Sequence, residues 1–458
     1  MNLKNKDLKI IFNKKNIKKN IYITSSTINS KEVKKRSIFF AIKGKKTDGH
    51  FYIKEVLRKK SEMIVVKKNF KLPKYNKDKF IKVSSPLKFL NKTASYIRKK
   101  NNSIFIGITG SYGKTTLKSM LQFFLSNYEK TYSSPKSFNN QFGLPLSLSN
   151  TPHNSKYNIF ELGMSHKGEI NKLSKILLPD MAIITNIGPA HLKNFKNLKE
   201  ICYAKAEILN HVTKNGVVFL NKDDFYFKTL FQIAKKKKIK TITFGNSLGA
   251  NVQIIKQIIH NKKNFLKLKI FKNKYTVQVK NFNNNFIQNF LITLGVLAYL
   301  NLDLNYALKL SKNFAVPSGR GNLVQKKYRN KKILIIDESY NANPISMNNA
   351  INNFCQMNIK KEKKVIIGDM LELGLKSKFY NKQLANSLNS KSIKKVYLVG
   401  KEVISTYNRL KNRKNCYLYN NVNVLRDKLS EILDTNSVYL VKGSNSIGLN
   451  KLLSNNFN

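Results

Sequence analysis

The chain has 458 residues, 41 % of them hydrophobic, with 85 Lys and Arg against 24 Asp and Glu and a formal net charge of +61. That length exceeds one comfortable core and predicts two or three domains, while no run approaches the roughly 20 apolar residues of a membrane span. The lysines are spread along the whole chain, Lys greatly outnumbers Arg and no nucleic-acid module is visible, so the charge reads as solvated surface with incidental polyanion affinity at low salt.

The opening residues Met1-Asn2-Leu3-Lys4-Asn5-Lys6 carry no apolar h-region, so a cleaved signal is not expected. Cys202, Cys355 and Cys416 are far apart and match no zinc spacing, which suits a reducing compartment, with cytoplasm as the expectation. Short apolar runs at 37–42 and 62–66 predict a small α/β unit over residues 1–84. Residues 85–315 hold a glycine-rich loop and strand candidates at 157–162, 181–187, 216–220 and 241–244, with helical patterns between the early ones, the rhythm of a mostly parallel sheet. Stretch 264–280 alternates like an antiparallel hairpin, and 290–300 reads as a buried helix. A second rhythm occupies 316–458, with buried-strand runs at 332–337, 364–368, 395–399 and 438–441 suiting a Rossmann-like domain.

The most informative stretch is Gly107-Ile108-Thr109-Gly110-Ser111-Tyr112-Gly113-Lys114-Thr115-Thr116, which follows an apolar strand at 103–106 and precedes a helix predicted over 117–127. Strand, glycine-rich turn, Lys-Thr and helix together make a phosphate-binding loop: backbone N–H groups close around phosphate oxygens and the helix N-terminus adds its dipole. Lys114 is expected to reach the β/γ-phosphates of ATP and the Thr115 hydroxyl to bind Mg²⁺. Ile108 stands where the full G-x-x-x-x-G-K-[ST] pattern has Gly, so the match is to the shorter G-x-x-G-K-T-T form.

Glu161 ends an apolar strand beside Gly163, where ligands bind in open α/β sheets; it can serve as a Mg²⁺ ligand or, equally on residue grounds, as a helix-capping acid. Asn186 and His191 follow another apolar strand and a Gly-Pro turn aimed at the same sheet edge. Lys205, among Ala204, Ala206 and Ile208, reads from physics alone as an ordinary exposed lysine.

In this order and spacing these segments resemble the Mur ligase superfamily, ATP-dependent amide-forming enzymes of peptidoglycan precursor synthesis, and the resemblance covers nearly the whole chain. It implies three domains: an N-terminal UDP-substrate-binding unit, a central ATP-binding unit and a C-terminal Rossmann-like unit. It further implies that Lys205 is carbamylated, that Thr115 and Glu161 hold one Mg²⁺, and that His191 and Lys205 hold a second. Phe138-Asn139-Asn140-Gln141-Phe142-Gly143, Tyr340-Asn341-Ala342-Asn343-Pro344 and Gly368-Asp369-Met370-Leu371-Glu372-Leu373-Gly374 resemble the branch that joins D-alanyl-D-alanine to UDP-N-acetylmuramoyl-tripeptide. That branch places Gly110, Ser111, Gly113, Lys114, Thr115, Thr116, Asn289, Arg320 and Glu338 at the nucleotide, and Ser30, Asn139, Asn140, Ser165, Asn341 and Asn343 at the other substrates. Here Lys31 replaces the usual Arg after Ser30, Glu338 a usual Asp, and Asn285 a frequent His. A sibling ligase adding a single amino acid, or a basic nucleotide- or nucleic-acid-binding protein without catalysis, are the competing readings. A monomer with small-molecule substrates and no specific nucleic-acid partner is expected.

Overall fold

A computed structural model describes residues 1–13, 21–44, 46–261, 263–279 and 284–457. After a two-stranded antiparallel pair, Leu3–Lys4 with Tyr22–Ile23, three larger sheets follow one another along the chain. The first has four parallel strands in the order Ser25–Thr27, Ser37–Phe40, Met63–Lys67, Phe80–Val83. Only the two middle strands were legible as apolar runs; of the outer two, Ser25–Thr27 is wholly polar and Phe80–Val83 is four residues long and interrupted by Lys82.

The helix Pro86–Lys100 joins this sheet to the next. Its start is encoded locally: the Ser85 hydroxyl accepts from the Lys88 N–H at 3.3 Å, and Pro86 supplies a fixed φ where no amide donor is needed. Leu90 and Ile97 pack into the N-terminal core, and Ala94 into the next one. Arg98 locks the junction, donating to the carbonyls of Leu177 and Leu178 and lying 3.0 Å from Asp180.

Nine strands make the central sheet, in the order Asn273–Val279, Lys263–Ile270, Val252–His260, Lys240–Gly245, Val217–Asn221, Met181–Ile184, Ile104–Thr109, Tyr157–Glu161, Thr131–Ser133. The seven from Val252–His260 onward run parallel, and the near-continuous apolar runs at 104–109, 157–161, 181–184 and 217–221 reflect burial on both faces, while Thr131–Ser133 is a half-buried edge strand. The hairpin expected over 264–280 is present between Lys263–Ile270 and Asn273–Val279, but Val252–His260 adds a third, unanticipated strand; Lys280 lies outside the described residues. The helix Lys114–Ser126 buries Leu117, Met120, Leu121, Phe124 and Leu125 at helical spacing against the helix Asn284–Tyr299, with the Phe124 and Phe290 rings 6.1 Å apart.

The third sheet runs Asn322–Tyr328, Lys331–Glu338, Ser437–Lys442, Glu362–Gly368, Ile393–Val399, Cys416–Tyr419, parallel except for its first pair. In the central sheet the chain passes from Ile104–Thr109 to strands on one side and then returns to the other side at Met181–Ile184. That reversal leaves a crevice at the carboxyl ends of neighbouring strands, and the glycine-rich loop opens into it.

Candidate active site

The loop after Thr109 is held by its neighbour strand. Asn186 accepts from the backbone N–H groups of Ser111 (3.2 Å) and Tyr112 (3.1 Å) and donates to the Tyr112 carbonyl. Ser111 and Gly188 exchange a second pair of hydrogen bonds, and Thr185 donates to the Tyr112 carbonyl. Gly110 makes this close approach possible, because it has φ +148° and a Cβ there would lie 1.9 Å from the Thr185 hydroxyl. Sequence reasoning placed Asn186 at the sheet edge; the structure makes it the clamp that shapes the phosphate loop.

Lys114 folds back to donate to the Gly110 carbonyl at 2.7 Å. The Thr115 hydroxyl accepts from Arg320 at 3.0 Å and lies 3.3 Å from Glu161 Oε2, so one hydroxyl joins the loop, the neighbouring strand end and the C-terminal unit. Asn289 is buried and its amide meets the Gly113 carbonyl at 3.3 Å. The Arg320 guanidinium carbon sits over Tyr340, 4.0 Å from the ring centre, and the Tyr340 hydroxyl reaches Ser137 at 2.8 Å. Glu338 is engaged by Lys442 at 2.8 Å rather than left free.

Glu161 is fully buried, and Lys118 is the nearby cation that sequence reasoning missed. Its ammonium lies 3.4 Å from Glu161 Oε1 and donates to the carbonyls of Ser134 and Lys136. The available signal was its position four residues after Lys114, on the same helix face among apolar neighbours. Burial lowers the Lys114 and Lys118 pKa values, and Glu161 partly restores both.

Lys205 corrects the reading from its residues alone. It is 3 % exposed rather than on the surface, because the helix Leu198–Ala206 turns it inward with Ile201, Cys202 and Ala204. Burial, with the Lys114 charge adding to it, pushes its pKa well below 10.5, so the amine is held toward its neutral, nucleophilic form.

The three units share one cleft of about 2140 Å³, lined by most of these groups but not by Gly110, Lys118 or Asn186. Gly113, Lys114, Thr115, Thr116, Glu161, His191, Lys205, Asn289, Arg320 and Glu338 face it, as do Asn139, Asn140, Ser165, Asn341 and Asn343. Asn139 lies 3.5 Å from Glu161, while Asn140 also accepts from the N–H groups of Phe142 and Gly143 at the start of a helix. Asn343 caps the helix Pro344–Gln356 and reaches the Ser111 carbonyl at 3.4 Å. Ser30 is not among the lining residues; the N-terminal unit contributes Lys43 and Gly44 instead.

Among the described residues no three His, Cys, Asp or Glu side chains converge as a ready-made metal cage. The donor chemistry nevertheless fits Mg²⁺. Glu161 Oε1 is buried with no hydrogen bond, facing only the Lys118 ammonium at 3.4 Å, Oε2 borders a threonine hydroxyl, and a cation held by one or two carboxylates completes its shell with phosphate oxygens and water.

Residues 108–297 match the family described as the Mur ligase middle domain, and 319–445 match the Mur ligase, glutamate ligase domain. The UDP-N-acetylmuramoyl-tripeptide–D-alanyl-D-alanine ligase of Rickettsia prowazekii is 32 % identical over 93 % of this chain and 93 % of its own. A crystal structure of MurF from Acinetobacter baumannii superposes with TM-score 0.87 at 25 % identity, covering 99 % of this chain and 98 % of that one. MurF ligase from Thermotoga maritima in complex with ADP superposes with TM-score 0.79 at 26 % identity, over 94 % and 96 % of the two chains.

Proposed function

Since the chain belongs to the Mur ligase family, we propose that it joins D-alanyl-D-alanine to UDP-N-acetylmuramoyl-tripeptide at the expense of ATP, completing the pentapeptide precursor of peptidoglycan. The observation that carries this reading is the single cleft in which the phosphate loop, Glu161 and Lys205 meet the asparagine-rich segments Asn139-Asn140 and Asn341-Asn343.

The tripeptide carboxylate attacks the γ-phosphorus of ATP, giving an acyl phosphate and ADP. The amine of D-alanyl-D-alanine then attacks the acyl carbon, the amide forms and phosphate leaves. Lys114 and Arg320 stand against the transferring phosphoryl group and offset its charge without reorganising. Thr115 and Glu161 would hold one Mg²⁺, and His191 with Lys205 a second. Bound there, these cations supply charge neutralisation across the phosphates. The neutral Lys205 amine can add to carbon dioxide, forming an N–C bond and releasing one proton. The resulting carbamate turns a neutral amine beside Lys114 into an anionic oxygen donor.

Asn139 and the Asn341/Asn343 segment orient the peptide substrates, and Ser165 and Asn140 line their path. The Tyr340–Ser137 and Arg320–Thr115 contacts draw the C-terminal unit over the loop and exclude water that would hydrolyse the acyl phosphate. Unit boundaries fall near 84/85 and 315/316. The helix 86–100 goes with the central unit while buttressing the first. Ser30 and the 38–50 segment hold the uridine end of the substrate. The protein works as a cytoplasmic monomer on small molecules.

Tripeptide labelled with ¹⁸O in its carboxyl group tests the chemistry. Turnover with ATP and D-alanyl-D-alanine should place one ¹⁸O in the released phosphate and yield the pentapeptide by mass. Unlabelled phosphate would remove the acyl phosphate, and no pentapeptide would overturn the substrate assignment.

A further inference from the structure

His191 and Glu372 face each other where the central and C-terminal units touch. Glu372 Oε2 lies 2.6 Å from His191 Nδ1, without the alignment of a full hydrogen bond. Both residues have left-handed backbones, with φ +59° and +67°, a conformation that non-glycine residues keep only where the surroundings hold it. The surroundings here are each other's segments. The Lys193 N–H donates to the Glu372 carbonyl at 2.9 Å, and Gly374, at φ +59°, passes so close that a Cβ would lie 2.9 Å from the Lys193 Cα. The turn after His191 and the turn after Glu372 are therefore fitted backbone to backbone.

From this contact we infer that Glu372 is a positioning residue, the group by which the closed C-terminal unit orients the His191 imidazole for a divalent cation. The inference rests on the proposed role of His191 at the second cation. An imidazole that donates one ring N–H to a carboxylate has its tautomer and its plane set, and the other nitrogen is left as a more basic ligand. With Nδ1 turned to Glu372, Nε2 is the nitrogen available to the cleft that His191 lines with Glu161 and Lys205. Contacts poorly aligned in an unliganded enzyme tighten when its site is loaded. Because Glu372 belongs to the C-terminal unit and His191 to the central one, opening the cleft would separate them, so cation affinity at this position is coupled to closure.

The test is Mn²⁺ binding to the full chain, followed by electron paramagnetic resonance in bicarbonate buffer with ADP, for the wild type, Glu372→Ala, Glu372→Asp and Glu372→Gln. Melting curves of the metal-free proteins check the fold. Two sites are expected in the wild type. Alanine, and aspartate with its shorter reach, should weaken one of them by about 10- to 100-fold and leave the other unchanged. Glutamine, which keeps an acceptor oxygen, should recover most of the loss. Wild-type affinity at both sites in either folded Ala or Asp variant overturns the inference. Equal weakening of both sites overturns it too, since a general loosening would do that. A wild type that binds a single Mn²⁺ contradicts the two-cation reading itself, an outcome distinct from either.

Discussion

Lys114 and Lys205 stand together in the cleft with different company: Glu161 offsets part of the burial cost of Lys114, whereas the Lys114 charge adds to that of Lys205. Lys114→Ala should leave the melting temperature intact and lower turnover by at least about 10²-fold, the scale of losing one preorganised charge-stabilising donor. Near-normal turnover would remove the phosphate-loop assignment. Lys205 carries a sign that can be checked. Its native pKa is depressed below 10.5, so the unfolded chain binds a proton that the native chain lacks. In metal-free, carbon-dioxide-free buffer, stability should therefore rise as pH climbs from the depressed value toward 10.5. Lys205→Met should abolish ligation, flatten that slope and raise the melting temperature at neutral pH. A short exogenous carboxylate should partly restore activity to Lys205→Ala. The burial of Lys205 was illegible from its own neighbours, because a lysine between Ala204 and Ala206 on a helix looks the same whether it faces in or out. Only the order of the surrounding motifs pointed inward.

At the scale of elements, the phosphate loop depends on a strand it does not follow. Asn186→Ala removes one acceptor shared by two loop amides, together with a donor. Stability should fall by about 1–3 kcal/mol, as for buried polar groups left unpaired, and the KM for ATP should rise more than kcat falls. Unchanged ATP kinetics in a folded variant would show that the loop keeps its shape alone. The strand, loop and helix around Lys114 were readable because each signal is local: an apolar run, glycines, and buried positions at helical spacing. The clamp was not, since it pairs residues about 75 positions apart. Short strands such as Ser25–Thr27 and Cys416–Tyr419 gave no run long enough to register. Val252–His260 buries only its first half and leaves the core at the bulge between Ile254 and Lys256, so its apolar pattern fades midway.

For the whole molecule, the sequence rhythm anticipated three α/β units, and the structure has three larger sheets closing on one cleft. The shared cleft was not readable from composition, because it arises from contacts such as Arg320 to Thr115 across 205 positions. No helix among the described residues is long and apolar enough to cross a membrane. The charge of +61 has a natural consequence for anionic substrates, whose encounter rate a positive field raises. The kcat/KM for UDP-N-acetylmuramoyl-tripeptide should drop several-fold between about 0.05 and 0.3 M salt while kcat changes little. A salt-independent kcat/KM would show that the charge is inert in catalysis. The most direct measurement of the central claim is ADP and phosphate release with UDP-N-acetylmuramoyl-tripeptide, before and after D-alanyl-D-alanine is added. Sustained release that requires both, with a product of pentapeptide mass, is the predicted result. Turnover only with the dipeptide precursor and a single amino acid, or none with any donor, would contradict it.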